Sequence, residues 1–311
     1  MKTVTLGKTG VEVSALCLGA MYFGSRNDEI TSYRMLDHYV DAGGTFIDTA
    51  NIYAHWVPGH KGGESETLLG QWLRERKNRD DLFIATKVGF GYPGVKRGLR
   101  ADQIEAEVEK SLERLGIETI DLYYAHKDDR ATPLDETLEA FYRLVKAGKV
   151  RFIGASNFAA WRLERARWVS RTHDWPAYVC LQQRYTYLRP KPGADFDPQV
   201  AVNDELLDYC ASEGLTLLAY SVLLSGAYTR EEREFPQPYH GPDATARLEV
   251  LHAVAEEVGA TPNQVILAWM LERGIIPLIA ASTTAQMAEN LGALDVELSR
   301  DQMERLTEAG A

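Results

Sequence analysis

Four side chains with acid–base capability stand where three successive apolar runs of this chain give out. They are Asp48 and Tyr53 in TFIDTANIY, Lys87 in LFIATKVG and His126 in IDLYYAHKDD. A strand buried on both faces reads as a continuous apolar run. It tolerates an ionisable side chain only where it ends and a cavity opens. Taken one at a time, each residue has an ordinary reading. Asp48 could cap the following turn, Tyr53 could be a rim aromatic, and His126 could be a hydrogen-bonded core histidine. Lys87 could be a solvated strand end or a Schiff-base former. Taken together they suit proton transfer. A tyrosine titrates near ~10 and is a poor acid unless its phenolate is stabilised. A neighbouring ammonium does this, and a carboxylate behind the lysine holds that ammonium in place.

Positioning four such groups at one rim requires parallel strands separated by helices. The chain opens as a β-hairpin, with Thr3 to Leu6, a GKTG turn and Val11 to Ser14. Strands are then predicted at 16–19, 45–48, 82–87, 120–124, 152–156, 179–183, 216–220 and 276–280. Helical periodicity lies at 29–42, 65–76, 101–115, 134–147, 160–172, 203–213, 245–273 and 285–292. Eight strand–helix units point to a closed (β/α)8 TIM barrel whose chemistry sits at the carboxyl ends of the strands. The expected organisation is one barrel domain over 1–311 with an N-terminal β-hairpin. A doubly wound sheet is the rival, but no G-x-G-x-x-G follows a strand. Thr261-Pro262 reads as a helix start and Arg273-Gly274 as a helix stop. Three long loops, at 88–100, 187–203 and 221–244, follow strands and so belong to the rim of the polar cluster.

Bulk properties narrow the function. The chain has 311 residues, 45% hydrophobic and 25% charged, which is ordinary globular composition. A net charge of −11 argues against nucleic acid and anionic membrane surfaces as partners. Cys17, Cys180 and Cys210 are far apart in apolar contexts and lack metal-ligand spacing. They read as reduced thiols of a soluble, cytoplasmic protein, and no metal is expected. MKTVTLGKTG has no apolar core of a secretory signal.

FIDTAxxY, ATK, YYAH, IGASNF and AENLGALD, in this order over nearly the whole chain, resemble the aldo-keto reductase superfamily. The resemblance implies an NAD(P)-dependent oxidoreductase interconverting an aldehyde or ketone and its alcohol. Negative charge grows on a carbonyl oxygen as it takes up hydride, so the site must supply a proton there. By resemblance, Tyr53 is the general acid/base, Lys87 its electrostatic partner and Asp48 the counter-ion of the lysine. His126 orients the carbonyl. Ser156, Asn157 and Gln182 are implied as hydrogen bonds to the nicotinamide carboxamide, and Tyr220 as the ring's stacking partner. Ser221 through Leu223 and Leu224 would approach the pyrophosphate. Glu289 and Asn290 would hold the adenine.

Relatives that use the phosphorylated cofactor carry a basic clamp after the eighth strand. Here Ser282 and Gln286 fall at those positions, and no basic residue occurs between Arg273 and Arg300. Because a 2′-phosphate is recognised chiefly by arginine, the expectation leans to NAD(H). Tyr22, Trp56, Phe90, Tyr92, His55 and Lys127 are the expected pocket walls, a mixture of aromatic and polar groups that suits a sugar-like carbonyl substrate. Two other readings stand beside this one: a cofactor-binding, redox-sensing subunit with little turnover, and a Schiff-base lyase using Lys87.

Overall fold

The computed structural model describes residues 1–310. Its N-terminal hairpin pairs β1 (Thr3–Thr5) with β2 (Glu12–Ser14) in antiparallel register. Eight further strands follow: β3 (Cys17–Gly19), β4 (Phe46–Asp48), β5 (Phe83–Val88), β6 (Ile120–Ala125), β7 (Val150–Ser156), β8 (Cys180–Arg184), β9 (Thr216–Tyr220) and β10 (Ile276–Ile279). All eight are parallel and close into a barrel, with β10 pairing both β9 and β3. The helices are α1 (Glu29–Asp41), α2 (Glu64–Arg76), α3 (Ala101–Leu115), α4 (Leu134–Lys146), α5 (Ala160–His173), α6 (Asp204–Glu213), α7 (Ala244–Val258), α8 (Pro262–Glu272), α9 (Thr284–Leu291) and α10 (Arg300–Glu308).

Two apolar clusters follow from the two faces of the strands. The barrel interior is filled by Cys17, Phe46, Phe83, Leu122, Tyr124, Cys180, Leu218 and Ile276, with Leu6 and Val13 of the hairpin closing the amino-terminal end. Gly7 makes that closure possible: its φ is +53°, and a β-carbon there would run into the Val179 carbonyl. The larger cluster lies between barrel and helices, where Ile104, Val108 and Leu115 of α3 and Leu134, Leu138 and Phe141 of α4 recur at helical spacing. The bottom of the barrel is thus solid, and a cavity can open only at the carboxyl rim.

Two features depart from the periodicity. The helical periodicity at 245–273 is divided into two helices at the Thr261-Pro262 start. Gly259, at φ +65°, ends α7, and Thr261 caps α8 with Pro262 at its start and Gln264 completing a capping box. Helix α10 is additional; its sequence signal is a second capping box formed by Ser299 and Gln302. Among the described residues no helix is long and apolar enough to cross a membrane.

Candidate active site

Asp48 is the last residue of β4, and Lys87 is the penultimate residue of the neighbouring β5; both are 0% exposed. An ammonium has three hydrogens to place, and Lys87 Nζ places all of them. It pairs with Asp48 Oδ1, donates to the Thr49 carbonyl at 2.7 Å, and donates to the Tyr53 hydroxyl at 2.8 Å. The other Asp48 oxygen accepts from Gln182 Nε2 at 2.8 Å. Tyr53 enters from the turn after β4, where Asn51 Nδ2 is anchored to Glu107 at 2.8 Å. His126, the residue after β6, closes the group, its ring 6.1 Å from that of Tyr53 and 4.7 Å from that of Phe90.

The electrostatics follow from burial. Desolvation would pull the Lys87 ammonium down, but Asp48 and Tyr53 hold it above the usual lysine value. Burial pushes the Tyr53 phenol up to about 12, with Lys87 opposing and Asp48 adding to the shift. Burial and then Lys87 hold His126 well below the usual histidine range, so its ring is neutral. His126 Nδ1 is buried without a partner. An orphaned lone pair costs less than an orphaned N–H, so the ring proton belongs on Nε2.

Asp48, Tyr53, His126 and Gln182 line a cavity of about 810 Å³, with Lys87 buried behind them. Its lining includes Tyr53, His126, Tyr22, Trp56 and Phe90, and also Ser282, Gln286, Glu289 and Asn290. Tyr220, Ser221 and Leu223 lie on the wall as well, as does Gln182. Ser221, Leu224 and Ser225 have φ of +58°, +45° and +60°, conformations that non-glycine residues seldom adopt. All three belong to the loop that forms this wall.

Several expected residues stand elsewhere. Lys127 bonds Asp197 at 3.0 Å and does not line the cavity. Tyr92 is likewise outside it, donating to Glu107 at 2.5 Å. Ser156 and Asn157 do not reach the cavity surface either. The Asn157 amide is consumed by the protein: Nδ2 donates to the His126 carbonyl at 3.0 Å, and Oδ1 accepts from Tyr220 Oη at 2.7 Å and from the Val200 N–H at 3.0 Å. The N-cap position of α5 belongs to Ala159. Conversely, Arg184, Arg230, Arg233 and Asn263 line the cavity without having been singled out. Arg184 carried a usable signal, because it ends the CLQQR strand on a cation as β4 ends on Asp48. Arg230 and Arg233 lie in a loop with no such marker. Among the described residues no cluster of His, Cys, Asp and Glu could hold a metal ion.

The aldo/keto reductase family model matches residues 15–311. An uncharacterised oxidoreductase of Bacillus subtilis is 34% identical over 321 residues, covering 99% of this chain and 95% of its own. Norsolorinic acid reductase stcV of Emericella nidulans is 33% identical over 317 residues, 94% of this chain and 77% of its own. A solved thermostable aldo-keto reductase, in complex with the inhibitor epalrestat, matches with a TM-score of 0.78 and 31% identity over 98% of both chains. With the closed barrel and the rim cluster, these similarities lead to one conclusion: the chain belongs to the aldo/keto reductase family, carbonyl-acting oxidoreductases that generally use NAD(P)H.

Proposed function

We propose that this protein interconverts an aldehyde or sugar-like carbonyl compound and its alcohol, with Tyr53 as the general acid/base. One observation carries the reading: the Tyr53 hydroxyl accepts from a fully buried Lys87 ammonium at 2.8 Å and faces the cavity beside His126. The nicotinamide, when bound, supplies the hydride. Tyr53 Oη gives its proton to the carbonyl oxygen as negative charge grows there. Lys87 stabilises the phenolate left behind, and Asp48 keeps the lysine charged and fixed. The neutral His126 donates from Nε2 to the same oxygen and orients it, a donor aimed where charge develops. In the alcohol direction Tyr53 takes the proton back.

The residues present fit a nicotinamide dinucleotide. Tyr220 offers an aromatic face, Gln182 an amide, and the turned main chain at Ser221–Ser225 its N–H groups for phosphate. Asn263, 5% exposed on the cavity wall, donates from Nδ2 to Glu289 at 3.3 Å and has an unpartnered buried Oδ1, an acceptor suited to the adenine amino group. Among the lining residues Ser282 and Gln286 are neutral, and the Gln286 Oε1 accepts the Ser282 N–H at 2.8 Å. The Glu289 carboxylate, on the same short helix as Gln286, also lines the cavity and accepts from the Thr261 hydroxyl at 2.9 Å. This charge balance supports use of NAD(H) at least as well as NADP(H).

Arg230 and Arg233 favour the opposite preference, since both line the same cavity. Arg230, however, folds back over the turn, its Nε 3.2 Å from where a β-carbon on Gly226 would stand. Arg233 sits in an acidic run with Glu231, Glu232 and Glu234. A Schiff-base role for Lys87 is disfavoured because its three hydrogens are engaged and it does not line the cavity. Steady-state kinetics with both cofactors against aldehydes, ketones and aldoses tests the proposal. Turnover of none of them would leave the redox-sensing reading in its place.

A further inference from the structure

Arg184 ends β8 opposite Tyr220 of β9 and lines the cavity half-buried. Its Nε donates to the Tyr239 hydroxyl at 3.0 Å, and its Nη1 donates to Gln199 Oε1 at 2.8 Å and to Ser221 Oγ at 3.4 Å. The guanidinium also lies over the Phe196 ring at 5.1 Å and the Tyr239 ring at 5.7 Å. Every one of these partners is neutral. Among the described residues no carboxylate comes within ion-pair distance of Arg184, and Nη2 has no hydrogen-bond partner.

Four other sheltered arginines of this acidic chain are provided for, whereas Arg273, held like Arg184 by neutral partners, a tyrosine hydroxyl and two aromatic rings, lies outside the cavity. Arg79 is paired with Asp121, Arg114 with Glu66 and Arg162 with Asp128. Arg247 spends its donors on the carbonyls of Tyr187, Ala309 and Leu306. Arg184 is instead braced by neutral acceptors and two aromatic rings, which fix its plane and leave its charge unneutralised beside the cavity. A guanidinium held in this way presents donors to an oxyanion.

We propose that Arg184 binds an oxyanion in this cavity, and that the anion is a carboxylate or phosphate carried by the carbonyl substrate. The proposal rests on the carbonyl-reductase reading above and deepens it to acidic aldehydes, such as sugar acids or sugar phosphates. The pyrophosphate of the dinucleotide is the other source of the same chemistry, because Ser221 belongs to the turn assigned to it.

The experiment compares 4-carboxybenzaldehyde with methyl 4-formylbenzoate, which has a similar shape and no charge. In Arg184→Gln the ratio of kcat/KM for the acid to that for the ester should fall roughly ten- to a hundredfold, the range for a charge-assisted hydrogen bond. Arg184→Lys keeps the charge without the planar fork and should restore part of the ratio. It also carries the test if the glutamine variant does not fold, which thermal melting reports. In parallel, NADH and NADPH affinities are read by fluorescence quenching. Weakening confined to the dinucleotides assigns the oxyanion to the pyrophosphate and overturns the substrate assignment. If neither the ratio nor the affinities move, the site itself is refuted. Should wild-type protein turn over neither aldehyde, the reductase reading fails, and calorimetric titration with 4-carboxybenzyl alcohol and its methyl ester still decides the site. Preferential binding of the acid that Arg184→Gln abolishes supports it, and equal binding of the two overturns it.

Discussion

Gln182 and Asp48 lie 134 residues apart in the chain and meet across the barrel, where Gln182 Nε2 donates to Asp48 Oδ2 at 2.8 Å. A residue expected to hold the cofactor thus also satisfies the second oxygen of a fully buried carboxylate. Gln182→Leu would leave that oxygen without a donor, a loss of roughly 1–3 kcal/mol. We expect a lower midpoint of thermal or urea unfolding, measured without cofactor. An unchanged midpoint would show that Asp48 does not depend on this bond.

Tyr53→Phe should remove nearly all turnover while leaving cofactor affinity close to wild type, because the phenol acts mainly in the transition state. Lys87→Met should be comparably damaging, and the double variant little worse than either single one, since the two act as a unit. Activity of Tyr53→Phe within about tenfold of wild type, ~1.4 kcal/mol, would exclude the phenol as the acid.

His126 gives a prediction with a definite sign. Its folded pKa is depressed, by burial first and Lys87 second, whereas an unfolded histidine titrates near ~6.5. The associated stability is fully present above that value and is lost as pH falls below it towards the folded pKa. Unfolding midpoints measured from pH 8 down to 5 should therefore fall more steeply for wild type than for His126→Asn. The reductive kcat/KM should show no ionisation near 6.5 attributable to His126; such a limb, abolished by His126→Asn, would contradict a neutral ring.

Cofactor preference is decided by kcat/KM for NADH against NADPH. A preference for NADPH above about tenfold, the factor equivalent to ~1.4 kcal/mol, would mean that a loop arginine reaches the 2′-phosphate. Arg233→Ala and Arg230→Ala would then identify which one. Ser282→Arg should improve NADPH use selectively. If it alters neither cofactor, residue 282 does not adjoin the ribose.

A closed barrel with a continuous surrounding core implies a single cooperative unfolding transition with no stable fragment. Limited proteolysis should cut first in 187–203 and 221–244, the long rim loops. An independently folded half recovered from the digest would contradict one domain over the whole chain.

The barrel and the core of its site were readable from the sequence because they depend on local order. Strands buried on both faces must be apolar, so Asp48, Lys87 and His126 announce themselves by interrupting such runs, and parallel topology puts all three ends at one rim. Boundaries such as Thr261-Pro262 were legible for the same reason, since a cap acts within four residues; the Ser299–Gln302 box shows that α10 was legible too. Tertiary structure alone decided which neighbours each rim residue meets. Lys127 turns to Asp197, a partner 70 residues away in a rim loop. The Asn157 side chain is taken up by Tyr220 and Val200, partners 63 and 43 residues away. Arg184 remains without an acid, and Arg230 folds over its own turn. These outcomes depend on how long loops fold over the rim, and residue spacing along the chain places no constraint on the charge that a distant loop brings to a cavity.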